Sequence, residues 1–253
     1  MTVSRVAFGS LIVATVLSAM GCRVEVETKT RYVEDNVSRE DTADWTGQPI
    51  KIQIEGVGIS KNGGVEVVAV PGATKVAANA RMLAMAFSEE KANADQSIID
   101  AKATFQITNT PSGITIFCGH GQTHGSSTAG ESGCELVKIT IPAGDAQQPL
   151  SLEVLGGNGP MTLSLADASI KNLGVNNQDD ITARMPSTWA ADSIILQADE
   201  GSITNNVGGL TLTRATDGTN QSTGTFGTAG TGLASLKVTS KEFAGSTGSI
   251  TLQ

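Results

Sequence analysis

Short runs of aliphatic residues that alternate with polar ones recur from Ile50 to the end of the chain. Alternation with a period of two is typical of strands with one buried face, and most of these runs end at Gly, Pro, Asn or Asp, which turns favour. In the second half the runs start roughly ten residues apart, at Ser151, Met161, Ser169, Asp180, Ser193, Ser202 and Leu210. The pattern predicts a mainly β protein built from many short strands.

An Ile-Thr pair recurs after a small or acidic residue, at Ile114-Thr115, Ile181-Thr182, Ile203-Thr204 and Ile250-Thr251. In a strand the Ile would face the interior and the Thr the solvent. Constant strand spacing, a turn residue at each corner and few large aromatic residues favour a narrow, solenoid-like stack of aliphatic layers. An antiparallel β-sandwich is the alternative, because short strands at even spacing also occur there.

One segment departs from this alternation. Between Met82 and Lys102 the apolar residues follow a helical spacing, and Ser88 stands before Glu89 and Glu90 as at a helix start. The pattern predicts a single helical segment within the β domain.

The first 21 residues have the pattern of an export signal, with Arg5 before an apolar run of 15 residues from Val6 to Met20. The run is shorter than the roughly 20 residues that a membrane-spanning helix needs. Leu17–Cys22 resembles a bacterial lipobox, which implies cleavage before Cys22 and attachment of lipid to that residue. An ordinary signal peptide with an incidental Cys22 is the alternative.

The remainder of the chain divides into a charged segment and a β domain. Of the 26 residues from Arg23 to Gln48, 11 are charged, so residues 22–48 are predicted to be a solvated tether. The alternation of Val24 and Val26 leaves a short first strand as the alternative. Residues 49–253 form the predicted β domain. If the usual sorting of lipoproteins applies, Arg23 favours the outer membrane, on its periplasmic side or at the cell surface.

The segments SGITIFCGH, GCELVKITIPAG, SLEVLGGNGPMTLSL, DITARMPSTWAADSIILQADEGSITN and FAGSTGSITLQ carry a family resemblance. Over about residues 50–253 the chain resembles the "putative adhesin" domain family of unknown function, which occurs in bacterial lipoproteins and envelope proteins. In that family repeated strand pairs form a right-handed β-solenoid. The resemblance therefore implies a right-handed solenoid and an adhesin-like role, and it transfers no catalytic or binding residue.

Composition and charge argue against one class of binding partner, nucleic acids. The net charge of −8 repels a phosphate backbone, and aromatic residues, at 4% of the chain, offer little for bases to stack on. Nucleic-acid binding is therefore not expected. The expected partners are membrane lipid through acylated Cys22, and a glycan or another envelope protein.

Cys118, His120, His124 and Cys134 lie together in a glycine-rich stretch, where four such side chains could hold zinc. The export signal implies an oxidising compartment, and two cysteines remain once Cys22 is acylated. A Cys118–Cys134 disulfide is therefore the preferred interpretation, with a metal site or free thiols as the alternatives. No cofactor is expected.

Two acidic doublets, Asp179-Asp180 and Asp199-Glu200, are the candidates for acid-base chemistry. Neighbouring residues on a strand point to opposite faces, and both doublets fall at predicted corners, where Asp is a turn former. Trp189 is expected to pack in the interior instead of stacking on a sugar. We therefore expect a non-catalytic envelope protein with a structural or adhesin-like role. A carbohydrate-active β-helix enzyme and a periplasmic accessory subunit are the alternatives.

Overall fold

The computed structural model describes residues 30–55, 64–88, 104–119, 121–124, 129–157, 159–186, 189–228, 235–240 and 248–253. These residues form eighteen strands and contain no helix. The strands are Thr30–Asp44 (β1), Ile50–Ile54 (β2), Gly64–Val70 (β3), Lys75–Ser88 (β4), Thr104–Thr110 (β5), Gly113–Gly119 (β6), Gly121–His124 (β7), Ala129–Pro142 (β8), Leu150–Leu155 (β9), Met161–Ser164 (β10), Ile170–Asn177 (β11), Ile181–Arg184 (β12), Ala191–Ala198 (β13), Ile203–Asn205 (β14), Thr211–Arg214 (β15), Gln221–Phe226 (β16), Ser235–Ser240 (β17) and Ile250–Leu252 (β18).

The strands form two nine-stranded sheets. Sheet 1 has the order β1-β4-β8-β3-β10-β12-β18-β14, with β7 also paired to β8, and sheet 2 has the order β15-β16-β13-β17-β11-β9-β2-β6-β5. Among the described strands, ten pairings are parallel and six antiparallel. The parallel pairings lie in the middle of both sheets, and the antiparallel ones involve the strands toward the ends.

The hydrophobic core lies between the two sheets. In β2, β3, β9 and β10 every second residue is buried, which is the burial pattern that the sequence alternation predicts. The inward residues of both sheets belong to one cluster, made almost entirely of Ile, Val, Leu and Ala. A core of branched aliphatic residues keeps the two layers close and leaves the polar residues on the two outer faces.

Consecutive strands of the central region alternate between the sheets. β9, β11, β13 and β17 lie in sheet 2, and each is followed along the chain by a strand of sheet 1, namely β10, β12, β14 and β18. The order within the sheets nevertheless departs from chain order in two places. In sheet 1, β8 lies outside β3 and β18 lies between β12 and β14, and in sheet 2, β6 and β17 occupy the matching places.

The prediction of a mainly β domain is confirmed. Two sheets share one core, as in the sandwich alternative, while the central pairing is parallel, as expected for a solenoid-like stack. The strand order differs from that of a regular solenoid, in which successive turns stack in chain order.

The predicted helix between Met82 and Lys102 is wrong for its first part. Residues 82–88 belong to β4, which pairs with β1 on one side and β8 on the other. An apolar run of this kind is compatible with a helix and with a strand. Because β1 and β8 pair with it on both sides, it forms a strand inside the sheet. Residues 89–102 lie outside the described residues.

The predicted charged tether is also corrected over residues 30–44, which form the edge strand β1. Charged residues are common on edge strands because they oppose pairing with another chain. Residues 1–29, with the predicted export signal and Cys22, lie outside the described residues. Within the described part of the chain, no helix has the length and apolar character needed to span a bilayer.

Candidate functional site

Four threonines stand in register across neighbouring parallel strands of sheet 1. Thr162 pairs with Thr182, Thr182 with Thr251, and Thr251 with Thr204. Each lies between two inward residues of its strand, so all four occupy the outer face. Neighbouring strands are about 4.8 Å apart, which sets the spacing of these side chains along the row. We refer to these four residues as the threonine row.

The row continues through the strands at the other end of sheet 1. Thr162 pairs with Glu66, Glu66 with Lys138, and Lys138 with Asn79. Lys138 Nζ lies 3.6 Å from Glu66 Oε2, and Asn79 Nδ2 donates a hydrogen bond of 2.6 Å to Glu40 Oε1. Lys138 and Glu66 therefore offset each other's charge, and the Glu40 carboxylate is hydrogen-bonded to a neutral amide.

A shallow depression of about 280 Å³ lies at this polar end of the row. Its lining residues are Ser38, Asn79, Arg81, Leu136 and Lys138. The Arg81 guanidinium is bound to the Glu135 carboxylate, with Nε donating at 2.7 Å to Oε2. The depression therefore combines hydrogen-bonding groups with one apolar wall, and its volume falls just below the usual range for small-molecule sites.

Small side chains flank the row on one side. Ala77 pairs with Thr140, Thr140 with Val68, and Val68 with Ser164. Each of these lies two residues along its strand from a member of the row or of its extension, on the same outer face. These side chains are short, and the next residue along this line is the exposed Arg184, which pairs with Ser164 and lies two residues from Thr182.

The acidic doublets lie in turns. Asp179-Asp180 is in the turn between β11 and β12, and Asp199-Glu200 follows β13. Asp179 Oδ1 accepts a hydrogen bond of 2.7 Å from the Asp180 N–H, and Asp180 Oδ1 accepts one of 2.7 Å from the Ser249 N–H. At the other corner, the Asp199 N–H donates to the Ser240 carbonyl. These roles are those of turn residues, and they tie neighbouring layers of the stack together.

Asn177 is a structural residue that the sequence did not reveal. Its side chain is fully buried, and Nδ2 donates to the carbonyls of Gly159 at 2.8 Å and Asp179 at 3.1 Å, while Oδ1 has no hydrogen-bond partner. A Cβ on Gly156 would collide with this Oδ1, which explains why glycine occupies that position. No sequence signal separates Asn177 from the exposed asparagines at other corners.

A disulfide joins Cys118 to Cys134, with their Cα atoms 6.2 Å apart. Cys118 is a buried residue of β6 in sheet 2, and Cys134 lies in β8 of sheet 1, so the bond links the two sheets. Both sulfurs that the zinc alternative requires are used in this bond. His120 lies outside the described residues, as does the side chain of His124, whose backbone belongs to β7. No cluster of three or more His, Cys, Asp or Glu side chains suited to a metal occurs in the described ranges.

Trp189 lies in the interior, as predicted. Its exposed fraction is 7%, and its ring centroid lies 4.8 Å from that of Phe226. Phe226 is the last residue of β16, a strand made mostly of polar residues and glycine. The two rings cover the core near one end of sheet 2.

No protein-family model matches the sequence, and no curated protein is significantly similar to it. Among solved structures, the crystal structure of a "putative cell adhesion protein" from Clostridium sporogenes is distantly similar, with a TM-score of 0.41 and 12% sequence identity. The similarity covers 85% of this chain and 99% of that one. The resemblance to the adhesin family thus remains an expectation from the sequence segments quoted above.

The sequence revealed part of the threonine row. The repeated Ile-Thr pairs marked Thr182, Thr204 and Thr251, and the structure brings these three together. Thr115, from the fourth pair, lies instead in β6 of sheet 2. Thr162 follows Met and not Ile, so the repeat did not include it.

Proposed function

We propose that the protein is a lipid-anchored component of a bacterial cell envelope whose β domain is a non-catalytic, adhesin-like binding module. The signal-like residues 1–21 and the lipobox-like residues around Cys22 support export and acylation. Two or three acyl chains would give an essentially permanent anchor, since each buried methylene contributes about 0.8 kcal/mol. The outer membrane is the proposed address.

The position of β1 limits the distance between the β domain and the proposed anchor. Seven residues separate Cys22 from Thr30, where β1 begins. The span from Cys22 to Thr30 can reach at most about 28 Å when fully extended. This is about a third of the reach that a tether through Gln48 would have, so the proposed module lies close to the membrane surface.

We further propose that the body is a short, right-handed, solenoid-like stack of six two-strand turns. Each turn pairs a strand of sheet 2 with one of sheet 1, and the turns run in the same order in both sheets: β6/β8, β2/β3, β9/β10, β11/β12, β17/β18 and β13/β14. Antiparallel strands flank this stack, as terminal caps do in repeat proteins. The stack supports a stiff outer face on which binding groups keep fixed positions.

The threonine row is the single observation that carries the binding role. Four hydroxyl groups in register on a rigid sheet can each donate and accept a hydrogen bond, and all four threonines are exposed or partly exposed. The acidic doublets serve corners and do not face one another across a groove. A binding module is therefore favoured over the carbohydrate-active enzyme.

Two measurements on cells that produce the full chain test this proposal. Mass spectrometry of the mature protein is expected to find acylated Cys22 as the first residue, and Cys22→Ala is expected to release the protein from the membrane fraction. Purified protein incubated with envelope polysaccharides is expected to bind without releasing products. An unmodified mature amino terminus would contradict the anchor, and release of shortened glycans would contradict the non-catalytic role.

A further inference from the structure

We infer that the ligand of the threonine row is an uncharged polysaccharide chain that lies across the strands of sheet 1. This inference rests on the proposed function and specifies the ligand class at the same face. The row runs perpendicular to the strands, so a ligand that contacts all four threonines must be extended in that direction. A linear polymer with a hydroxyl-bearing unit about every 5 Å meets one threonine per strand.

The chemistry of the row suits a sugar. A threonine hydroxyl is both donor and acceptor, and sugar hydroxyls have the same capacity, so the two can bond in either direction. The threonine methyl groups add small apolar contacts for the C–H faces of a pyranose ring. Thr162 and Thr204 at the ends of the row are exposed, and Thr182 and Thr251 between them are partly exposed.

The charge of the face argues against a charged ligand. The chain carries a net charge of −8, which opposes an anionic polymer at long range. Lys138, the cation in line with the row, already lies 3.6 Å from Glu66. Arg81 in the depression is bound to Glu135. Beside the row, the exposed Arg184 and Asp180 lie two residues to either side of Thr182 and carry opposite charges. Because the four threonines carry no charge and the charges around them are of both signs, an uncharged ligand is favoured.

The depression provides an end point for such a chain. Its volume of about 280 Å³ suits one sugar ring better than a larger ligand. Ser38 and Asn79 offer hydrogen-bonding groups, and Leu136 offers an apolar wall against which a ring can pack. Contacts at one site of this kind are weak, and several units of one polymer bound along the row would raise the overall affinity.

The test compares matched polymers and matched variants of the full chain. Retention on cellulose, chitin and mannan is measured beside retention on carboxymethylated cellulose, at low and high salt. Thr182→Val with Thr251→Val removes two hydroxyls from the row and preserves side-chain shape. Thr213→Val with Thr223→Val is the control, because these two residues are paired in register on β15 and β16 of sheet 2.

The expected result is retention on at least one neutral polymer, with little change at high salt and weaker retention on the carboxymethylated form. Loss of two hydrogen bonds predicts about tenfold weaker binding for the row variant, and the control variant should bind like the native chain. Thr182→Arg, which places a long side chain in the middle of the row, should abolish retention. Thermal unfolding of each variant checks that the fold is intact.

Three outcomes would overturn the inference. One is tighter, salt-sensitive binding to the carboxymethylated polymer. Another is equal loss of binding in the row and control variants. The third is binding to envelopes that survives glycan digestion and is lost on protease treatment; this would indicate a protein partner and leave the adhesin-like function standing. Absence of binding to envelopes of any kind would instead contradict the proposed function itself.

Discussion

The centre of the molecule and its two ends are stabilised in different ways. In the centre, parallel strands repeat the same inward pattern, and β2 is flanked on both sides by strands in register. Ile50 and Ile52 of β2 stand level with Ile114 and Ile116 of β6, and all four are almost completely buried. Stability there comes from the burial of aliphatic side chains, because each turn packs its Ile, Val and Leu residues against those of the next turn.

The ends depend on individual groups. At the β1 end, Asp41 Oδ2 accepts a hydrogen bond of 3.0 Å from the Ile107 N–H of β5, and Asn109 Nδ2 donates one of 2.8 Å to the Asp44 carbonyl. At the β14 end, Asn205 Nδ2 donates at 2.9 Å to the carbonyl of Leu210, whose side chain covers the last layer. These bonds satisfy backbone N–H and carbonyl groups at the ends of the stack. In the centre, a neighbouring strand provides the partners for such groups.

The largest expected effect distinguishes a central layer from a terminal one. Ile52→Ala removes a side chain with no exposed surface, and we expect unfolding free energy to fall by about 2–5 kcal/mol. Leu210→Ala removes a side chain that is 7% exposed at the end of the stack, where the turn can collapse, so its cost should lie near about 2 kcal/mol. Urea denaturation of both variants gives the comparison. An equal or reversed order would contradict the distinction.

The second prediction concerns the disulfide, which belongs to the β1 end. Cys118→Ala with Cys134→Ala should lower the unfolding free energy by about 3 kcal/mol, as expected for a closed loop whose cysteines are 16 residues apart. Because the bond links the two sheets at one end only, hydrogen exchange should accelerate in β6 and β8 more than in β11. Uniform acceleration across all strands would contradict a local role.

The third prediction tests the buried corner at Asn177. Gly156→Ala places a methyl group against Asn177 Oδ1 and should cost about 1–3 kcal/mol. Asn177→Ala alone leaves the Gly159 and Asp179 carbonyls without its hydrogen bonds and should cost a similar amount. In the double variant the collision with Asn177 is absent and only the close contact with Met161 Cε remains, so the combined cost should be smaller than the sum. Strict additivity would show that the two residues do not interact.

The fourth prediction concerns the hydrogen bond from the Ile107 N–H to Asp41, which joins the two sheets at the β1 end. Asp41→Ala leaves the partly buried Ile107 N–H without its carboxylate and should cost about 1–2 kcal/mol. Asp44→Ala is the matched control on the same strand, because its carboxylate faces Lys75 at 3.3 Å on the exposed surface. Exposed ion pairs contribute little, so the control should lose less than about 0.5 kcal/mol. Equal losses in chemical denaturation would contradict an edge-sealing role for Asp41.

The same contrast explains what the sequence could predict. Alternation identifies the central strands, since each has one buried face, and it marked three of the four threonines of the row through the Ile-Thr repeat. It could not give the strand order, because β8 and β18 occupy places that depend on long connections. Nor could it give β1 or residues 82–88 of β4, whose pairing partners lie far away in the chain. The residues that seal the ends, such as Asp41 and Asn205, and the buried Asn177 in the centre resemble ordinary polar residues until their partners are known.

The smallest expected effect lies in the turn between β15 and β16, at the opposite end from Asp41. The Thr219 hydroxyl and N–H both donate to Asp217 Oδ1, and these hydrogen bonds hold the pKa of Asp217 below its ordinary value of 3.8. A carboxyl with a lowered pKa in the folded state contributes stability above its unfolded pKa, and that contribution is lost as the pH falls through the folded pKa. Thr219→Val should therefore raise the pKa of Asp217 toward 3.8 in a carboxyl NMR titration, whereas Thr213→Val should leave it unchanged. Because Asp217 is exposed, the unfolding free energy at neutral pH should hardly change. A pKa that stays low in Thr219→Val would assign the shift to the surrounding backbone instead of the hydroxyl.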